Sequence, residues 1–104
     1  MIEVKTKKDI LREGKDRKHA VLCLIVYMPW CGYCQMLKKY IADAGLEKKY
    51  SHIKFLMLGG AYLHNSPLVN GYPMIFMLKN FEKVDEIRGY NPDALENALR
   101  KYNV

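Results

Sequence analysis

The sequence predicts a three-layer α/β domain in which helices flank a central mixed β-sheet. His19 to Tyr27 predicts a strand buried on both faces, because Ala20 to Val26 are apolar without period-two alternation. A helical pattern and a second apolar strand, Ile53 to Leu58, follow, and this order is typical of a βαβ unit with parallel strands. A hairpin pattern and an amphipathic helix end the chain, so antiparallel pairing is expected as well.

Length and composition favour one domain over residues 1–104. The chain has 104 residues, of which 50% are hydrophobic, enough for a single core. The apolar runs Ala20 to Met28 and Met74 to Leu78 contain nine and five residues, well below the roughly 18 that cross a bilayer. The first residues do not form the apolar stretch of a secretory signal. We therefore expect no membrane association and a cytoplasmic, reducing setting.

The net charge of +6 does not indicate a nucleic-acid partner. Seven basic residues lie among the first eighteen, but Glu3, Asp9, Glu13 and Asp16 are interleaved with them, as on a solvated helix surface. The chain has no C2H2 spacing, arginine-rich tract or aromatic RNA-binding run. We expect this charge to face solvent.

The first half of the chain predicts an edge strand and two helices. Residues 2–5 predict the short strand, and Thr6 is placed to cap a helix that ends near Lys18 and carries Ile10 and Leu11 on its inner side. A second helix is predicted from about Gly32 to Lys49, because apolar residues recur at helical spacing. Its predicted inner positions are Met36, Leu37, Tyr40, Ile41, Ala44 and Leu46.

The second half predicts a hairpin and a closing helix. Residues 61–70 have an ambiguous pattern that allows a short helix. Met74 to Leu78 predicts a strand, and Lys83 to Arg88 predicts a polar strand suited to a sheet edge. Asn91 and Pro92 are typical of the start of a helix. The predicted apolar face of that helix comprises Ala94, Leu95, Ala98, Leu99 and Tyr102.

Two of the three cysteines, Cys31 and Cys34, have CxxC spacing at the predicted junction between strand and helix. A thiol is nucleophilic as its thiolate, which the unpaired N–H groups and positive dipole of a helix start stabilise. We therefore predict that Cys31 attacks a disulfide. Cys34, separated from Cys31 by two residues of the first turn, would then attack the mixed disulfide and release the reduced substrate.

A metal site and a purely structural role are the competing interpretations of this pair. A CxxC supplies two of four zinc ligands, but a second pair is missing, and His19, His52 and His64 have no ligand spacing. We therefore expect no metal and leave the histidines without a role. Cys23 lies in the most apolar strand, where a free cysteine behaves as a small hydrophobic residue.

Three segments carry a resemblance to the thioredoxin family. The run Trp30-Cys31-Gly32-Tyr33-Cys34 resembles the family's Trp-Cys-Gly-x-Cys active site. The run Gly71-Tyr72-Pro73 before a strand resembles its Gly-x-Pro-Thr segment, in which the proline is cis. Lys79-Asn80, a strand ending at Gly89 and a final amphipathic helix complete the resemblance. It covers essentially the whole chain in order and implies a thioredoxin-like fold.

The resemblance also implies an activity. It implies dithiol-disulfide exchange with protein substrates through Cys31 and Cys34, with no bound cofactor and with electrons from a separate flavin-dependent reductase. Pro73 would present the backbone of Tyr72 to an extended substrate, although an ordinary proline at a strand start also fits. Trp30, Gly32, Tyr33 and Tyr72 would form the substrate-binding rim, although aromatic residues near turns also serve packing.

Several departures from the family leave other functions open. Thioredoxins and protein disulfide isomerase domains carry a buried acid six residues before the first cysteine, where this sequence has Ile25, and a proline where it has Lys39. Without the acid, Cys34 is expected to have a high pKa and to attack slowly. A thioredoxin-like binding module with little turnover is therefore one alternative. Activity resembling that of glutaredoxins or disulfide isomerases is another, because the dipeptide between the cysteines is Gly-Tyr.

Overall fold

In a computed structural model, the fold is described for residues 1–15, 21–60 and 71–103. Five strands and four helices are assigned in these ranges. The strands are β1 (Ile2–Val4), β2 (Val21–Tyr27), β3 (Ile53–Gly59), β4 (Met74–Lys79) and β5 (Glu82–Arg88). The helices are α1 (Lys7–Glu13), α2 (Gly32–Asp43), α3 (Leu46–Lys49) and α4 (Pro92–Tyr102).

The strands form one mixed sheet in the order β1-β3-β2-β4-β5. Strand β3 pairs in parallel with β1 and β2, whereas β4 pairs antiparallel with β2 and β5. The uninterrupted apolar sequence of β2 places it in the middle, where both of its faces are covered. The predicted mixed sheet, its central strand and both predicted edge strands are therefore confirmed.

Alternate residues of β2 face two separate cores. Val21, Cys23 and Ile25 lie in a cluster with residues of α2 and α4, such as Leu37 and Leu99. On the other face of the sheet, the intervening residues of β2 pack against β1 and α1. These residues are Leu22, Leu24 and Val26, which lie in a cluster with Val4 and the partly buried Ile10. Helices thus cover both faces of the sheet, and the predicted three-layer α/β class is confirmed.

Helix α1 begins as predicted but ends earlier. The hydroxyl of Thr6 accepts the N–H of Asp9 at 3.2 Å while the Asp9 carboxylate accepts the N–H of Thr6, which completes a capping box. The prediction that this helix ends near Lys18 is wrong, because it ends at Glu13 with Gly14 as its C-cap. Leu11 was predicted to face inward and is exposed. Residues 16–20, with the predicted start of the next strand, lie outside the described ranges.

The single helix predicted from Gly32 to Lys49 is divided into α2 and α3. The break occurs because Gly45 adopts a left-handed conformation (φ 61°), which interrupts the helical backbone. Leu37, Ile41 and Leu46 are buried as predicted. Met36 and Ala44 were predicted to face inward and are exposed instead, because the buried stripe of α2 runs through Cys34, Leu37 and Ile41.

The C-terminal hairpin and helix agree with their predictions. Strands β4 and β5 are joined by Asn80 and Phe81, which both have positive φ, as in the tight turns that connect hairpin strands. Asn91 caps α4 by accepting the N–H of Ala94 at 3.1 Å, and Pro92 occupies the first turn. The short helix considered over residues 61–70 lies outside the described ranges. Within those ranges, no helix has the length and apolarity needed to span a bilayer.

Candidate active site

Cys31 lies in the connection from β2 to α2, directly before the first residue of α2. Its backbone is extended (φ −87°, ψ 113°), and it acts as the N-cap of α2 because its sulfur accepts the backbone N–H of Cys34 at 3.2 Å. Its own N–H donates to the carbonyl of Met28 at 3.1 Å, which closes a turn after the strand. The predicted position of the CxxC at a strand-to-helix junction is therefore confirmed. The Cys31 sulfur lies where backbone donors and the helix dipole favour negative charge.

Both cysteines of the pair are free thiols with little exposure, at 6% for Cys31 and 3% for Cys34. Burial raises the pKa of the Cys34 thiol to about 12, and its hydrogen bond to Cys31 acts in the same direction. Cys34 is thus held in its protonated form at neutral pH. The pair therefore combines one sulfur that accepts hydrogen bonds with a second that retains its proton.

Ile25 occupies the position at which the thioredoxin resemblance implies a buried acid. It is 1% exposed, lies opposite Met57 on β3 and Ile75 on β4, and faces the core that α2 covers. Among residues 1–15, 21–60 and 71–103, no polar or charged residue is buried. In this part of the chain, no buried carboxylate can therefore take the proton of Cys34.

Two of the three predicted rim aromatics are in contact. The rings of Trp30 and Tyr72 meet edge to face, with centroids 6.0 Å apart and planes at 88°. Trp30 is 73% exposed beside Cys31, and Tyr33 is 63% exposed on the first turn of α2. Gly32, between the cysteines, is exposed and has open space where a side chain would begin. Exposed aromatic surface thus adjoins the dithiol.

Pro73 is buried directly before β4, and the Tyr72–Pro73 peptide bond is cis. Its neighbour Met74 pairs with Val26 near the C-terminal end of β2. Pro73 therefore lies at the same end of the sheet as the segment that leads from β2 to Cys31. The Pro73 carbonyl accepts the N–H of Gly89 at 2.8 Å, which ties this segment to the loop before α4.

Gly60 and Met28 are parts of this site that the sequence analysis did not identify. A Cβ atom added to Gly60 would lie 2.5 Å from the Tyr72 ring and 2.7 Å from the Met28 sulfur. The ring of Tyr72 therefore rests directly on the Gly60 backbone. The Gly59-Gly60 pair after an apolar strand was visible in the sequence, but nothing in it connected residue 60 to residue 72.

Among the described residues, the other candidate ligands, Cys23 and His52, lie apart from the site. The described residues contain no group of three His, Cys, Asp or Glu side chains that could hold a metal ion. Cys23 is fully buried in the core, as predicted. His52 is exposed and donates its backbone N–H to Asn103 at 3.2 Å, whereas His19 and His64 lie outside the described ranges.

Comparison with known proteins identifies the family to which this site belongs. The sequence pattern of the family described as Thioredoxin matches residues 4–101. The chain belongs to the thioredoxin family. It is 32% identical over 76 residues to a thioredoxin from Ophiophagus hannah, which covers 70% of each protein. It is also 28% identical to a protein disulfide-isomerase from Arthroderma benhamiae, over 99% of this chain and 19% of that protein.

Solved thioredoxin structures share the fold. The thioredoxin of Fasciola hepatica superposes with a TM-score of 0.84 at 18% sequence identity, over 98% of this chain and 99% of that chain. As a thioredoxin-family protein, the chain is a thiol-disulfide oxidoreductase. Thioredoxins act through their own dithiol, and Cys31 and Cys34 form the CxxC of this chain.

Proposed function

We propose that the chain reduces disulfide bonds in other proteins, with Cys31 as the attacking thiol and Cys34 as the resolving thiol. The observation that carries this assignment is the 3.2 Å hydrogen bond from the Cys34 N–H to the Cys31 sulfur at the start of α2. The helix start supplies a backbone donor to the Cys31 sulfur, whereas burial raises the pKa of Cys34 to about 12 and keeps that thiol protonated at neutral pH.

The exchange proceeds in two steps. The Cys31 thiolate attacks one sulfur of the substrate disulfide, which forms a mixed disulfide and releases the other substrate sulfur as a thiolate. Cys34 then loses its proton and attacks the Cys31 sulfur, which forms the Cys31–Cys34 disulfide and releases the second substrate thiol. Two electrons leave the protein, and a separate reductase must return them before the next cycle.

The surroundings of the dithiol support an extended protein segment as the substrate. In this proposal the backbone of Tyr72, held next to the buried Pro73, pairs with the substrate main chain. Trp30 and Tyr33 supply exposed aromatic surface on either side of Cys31, and Gly32 leaves the approach to the sulfur open. These residues form the proposed substrate-binding rim.

We place this reductase in a reducing, cytoplasmic setting, as one domain over residues 1–104. The thioredoxin relatives support the reductase direction of electron flow. The reduction potential of the Cys31–Cys34 pair, measured by equilibration with glutathione, tests it. A potential well above that of the cytosolic glutathione pool contradicts the reductase role and supports oxidase or isomerase activity.

The test of catalysis is an insulin-type disulfide reduction assay on the wild type, Cys31→Ser and Cys34→Ser. We expect activity in the wild type and none in Cys31→Ser. Cys34→Ser is expected to accumulate a mixed disulfide with the substrate, visible on a non-reducing gel. A wild type as inactive as Cys31→Ser removes catalysis from the proposal.

A binding module with little turnover is the second candidate. The observation that favours it is the apolar environment around Ile25, which offers no group to deprotonate Cys34. Binding to an isolated partner distinguishes the two functions. Affinity that survives Cys31→Ser together with negligible wild-type turnover favours the module, whereas loss of the captured partner in Cys31→Ser favours the enzyme.

A further inference from the structure

The ring of Tyr72 lies in a seat formed by Gly60 and Met28. The three atoms nearest to a Cβ placed on Gly60 are Cε1 and Oη of Tyr72, at 2.5 and 2.6 Å, and Sδ of Met28, at 2.7 Å. Carbon atoms in van der Waals contact are separated by roughly 3.5–4.0 Å. Any side chain at position 60 would therefore displace at least one of these two neighbours.

Glycine is required at position 60 for space, because its φ lies outside the left-handed range in which other residues are strained. The Met28 thioether is flexible and can withdraw from a new methyl group. The Tyr72 ring is rigid, and the chain next to it is anchored at the buried Pro73. A side chain at position 60 would consequently move the Tyr72 ring out of its seat.

The seat bears on the reactive centre through Trp30. Tyr72 meets the Trp30 ring edge to face at 6.0 Å, and Trp30 precedes Cys31 in the chain. Because 73% of Trp30 is exposed, little other protein surface restricts its ring. Among the described residues, Tyr72 is therefore a principal restraint on the orientation of the Trp30 ring.

We propose that Gly60 is a positioning residue for disulfide exchange. Because position 60 has no side chain, the Tyr72 ring can occupy its seat and hold the Trp30 ring in the orientation in which it contacts substrate beside Cys31. Gly60 touches neither the substrate nor the sulfurs and acts through Tyr72. The effect on substrate binding rests on the function proposed above, whereas the orientation of Trp30 can be tested without turnover.

The experiment compares Gly60→Ala, Tyr72→Ala and the double variant with the wild type. Trp30 is the only tryptophan of the chain, so its fluorescence anisotropy, emission maximum and acrylamide quenching report on this ring alone. Gly14→Ala is the matched control. Its new methyl group would crowd the Phe81 ring beyond the opposite end of β2, where Val21 pairs with Lys79. Thermal midpoints are recorded for all variants.

We expect Gly60→Ala to lower the anisotropy of Trp30, increase its quenching and raise KM for a disulfide substrate about two- to tenfold, with kcat little changed. In the Tyr72→Ala background the same change at position 60 should have almost no further effect, because the ring it displaces is gone. Gly14→Ala should lower the thermal midpoint without changing Trp30 fluorescence or KM.

The proposal is overturned if Gly60→Ala leaves Trp30 fluorescence unchanged, if its effect is equally large without the Tyr72 ring, or if Gly14→Ala produces the same changes. If Gly60→Ala does not fold, the double variant decides, since removing the ring must restore folding. A wild type without reductase activity refutes the function proposed above, and the fluorescence comparison still decides the role of Gly60.

Discussion

Cys34 donates its backbone N–H to the sulfur of Cys31 at 3.2 Å, so the second cysteine stabilises the first through its main chain. Its own thiol has the opposite environment, because burial raises its pKa to about 12. The two sulfurs therefore have different surroundings although they are only three residues apart. This difference predicts unequal reactivity of the two thiols.

We expect iodoacetamide to modify Cys31 well before Cys34 at neutral pH, because the thiolate is the reactive form. In Cys31→Ser, the rate at Cys34 should rise about tenfold per pH unit over the neutral to alkaline range, since burial, the largest cause of its raised pKa, remains. Peptide mass spectrometry of quenched samples measures both rates. Equal rates at the two cysteines of the wild type at pH 7 would contradict the assignment.

Ile25→Asp is expected to accelerate the resolving step. The side chain faces the core under α2, and a carboxylate there would provide the missing proton acceptor for Cys34. Burying the carboxyl group should also lower the free energy of unfolding by about 2–5 kcal/mol, because the site has no polar partner. Insulin-type reduction and urea denaturation measure the two effects.

Ile25→Asn is the matched control, because it is similarly polar but cannot take up the proton. It should lose stability without gaining rate. If the Asp and Asn variants turn over equally fast, proton transfer from Cys34 does not limit the reaction, and the apolar residue at position 25 is not what slows it.

The sequence was sufficient to predict the features that depend on local patterns. The apolar run of β2 predicted the central strand, and the CxxC after it predicted the junction at Cys31, because both signals are contiguous. The contact between Gly60 and Tyr72 could not be predicted, since it joins residues twelve positions apart through space. The division of the second helix at Gly45 was missed because apolar spacing continues on both sides of the break.

Glu96 should stabilise the contact between α4 and the helices beside it. Its carboxylate accepts hydrogen bonds from Tyr40 at 2.9 Å and Tyr50 at 2.8 Å, and it forms an ion pair with Lys49 at 3.2 Å. The Tyr50 and Tyr40 hydroxyl groups, together with Lys49, lower the pKa of Glu96 below its usual value. The contribution of Glu96 to stability is thus fully present above the pKa that its carboxyl group has in the unfolded chain. It is lost as the pH falls through the lower pKa that the group has in the folded chain.

Glu96→Gln should therefore unfold at a lower urea concentration than the wild type at pH 7, and the difference should disappear under acidic conditions. Tyr50→Phe should cost about 1–2 kcal/mol at neutral pH, because it removes one hydrogen bond to a charged group. The exposed Glu82→Gln is the control and should change little. If the difference in urea midpoint between Glu96→Gln and the wild type persists unchanged in acid, the stabilisation by Glu96 is not electrostatic.

The buried thiol of Cys23 should make the protein less stable in alkaline solution. Burial raises the pKa of its thiol from 9.0 to about 12, so in that interval the unfolded chain releases a proton that the folded chain keeps. The contribution of Cys23 to stability is consequently constant below pH 9 and decreases above it, by up to about 1.4 kcal/mol per pH unit.

Cys23→Ala should be less stable than the wild type at neutral pH by about 1 kcal/mol, because it leaves a small cavity in the core. Above pH 9 the two curves of unfolding free energy against pH should converge and then cross, since alanine has no proton to lose. Urea denaturation of both proteins at matched pH values measures the difference and cancels the titration of tyrosines and lysines common to both. Curves that stay parallel would show that the pKa of Cys23 is the same in the folded and the unfolded chain, and would contradict this prediction.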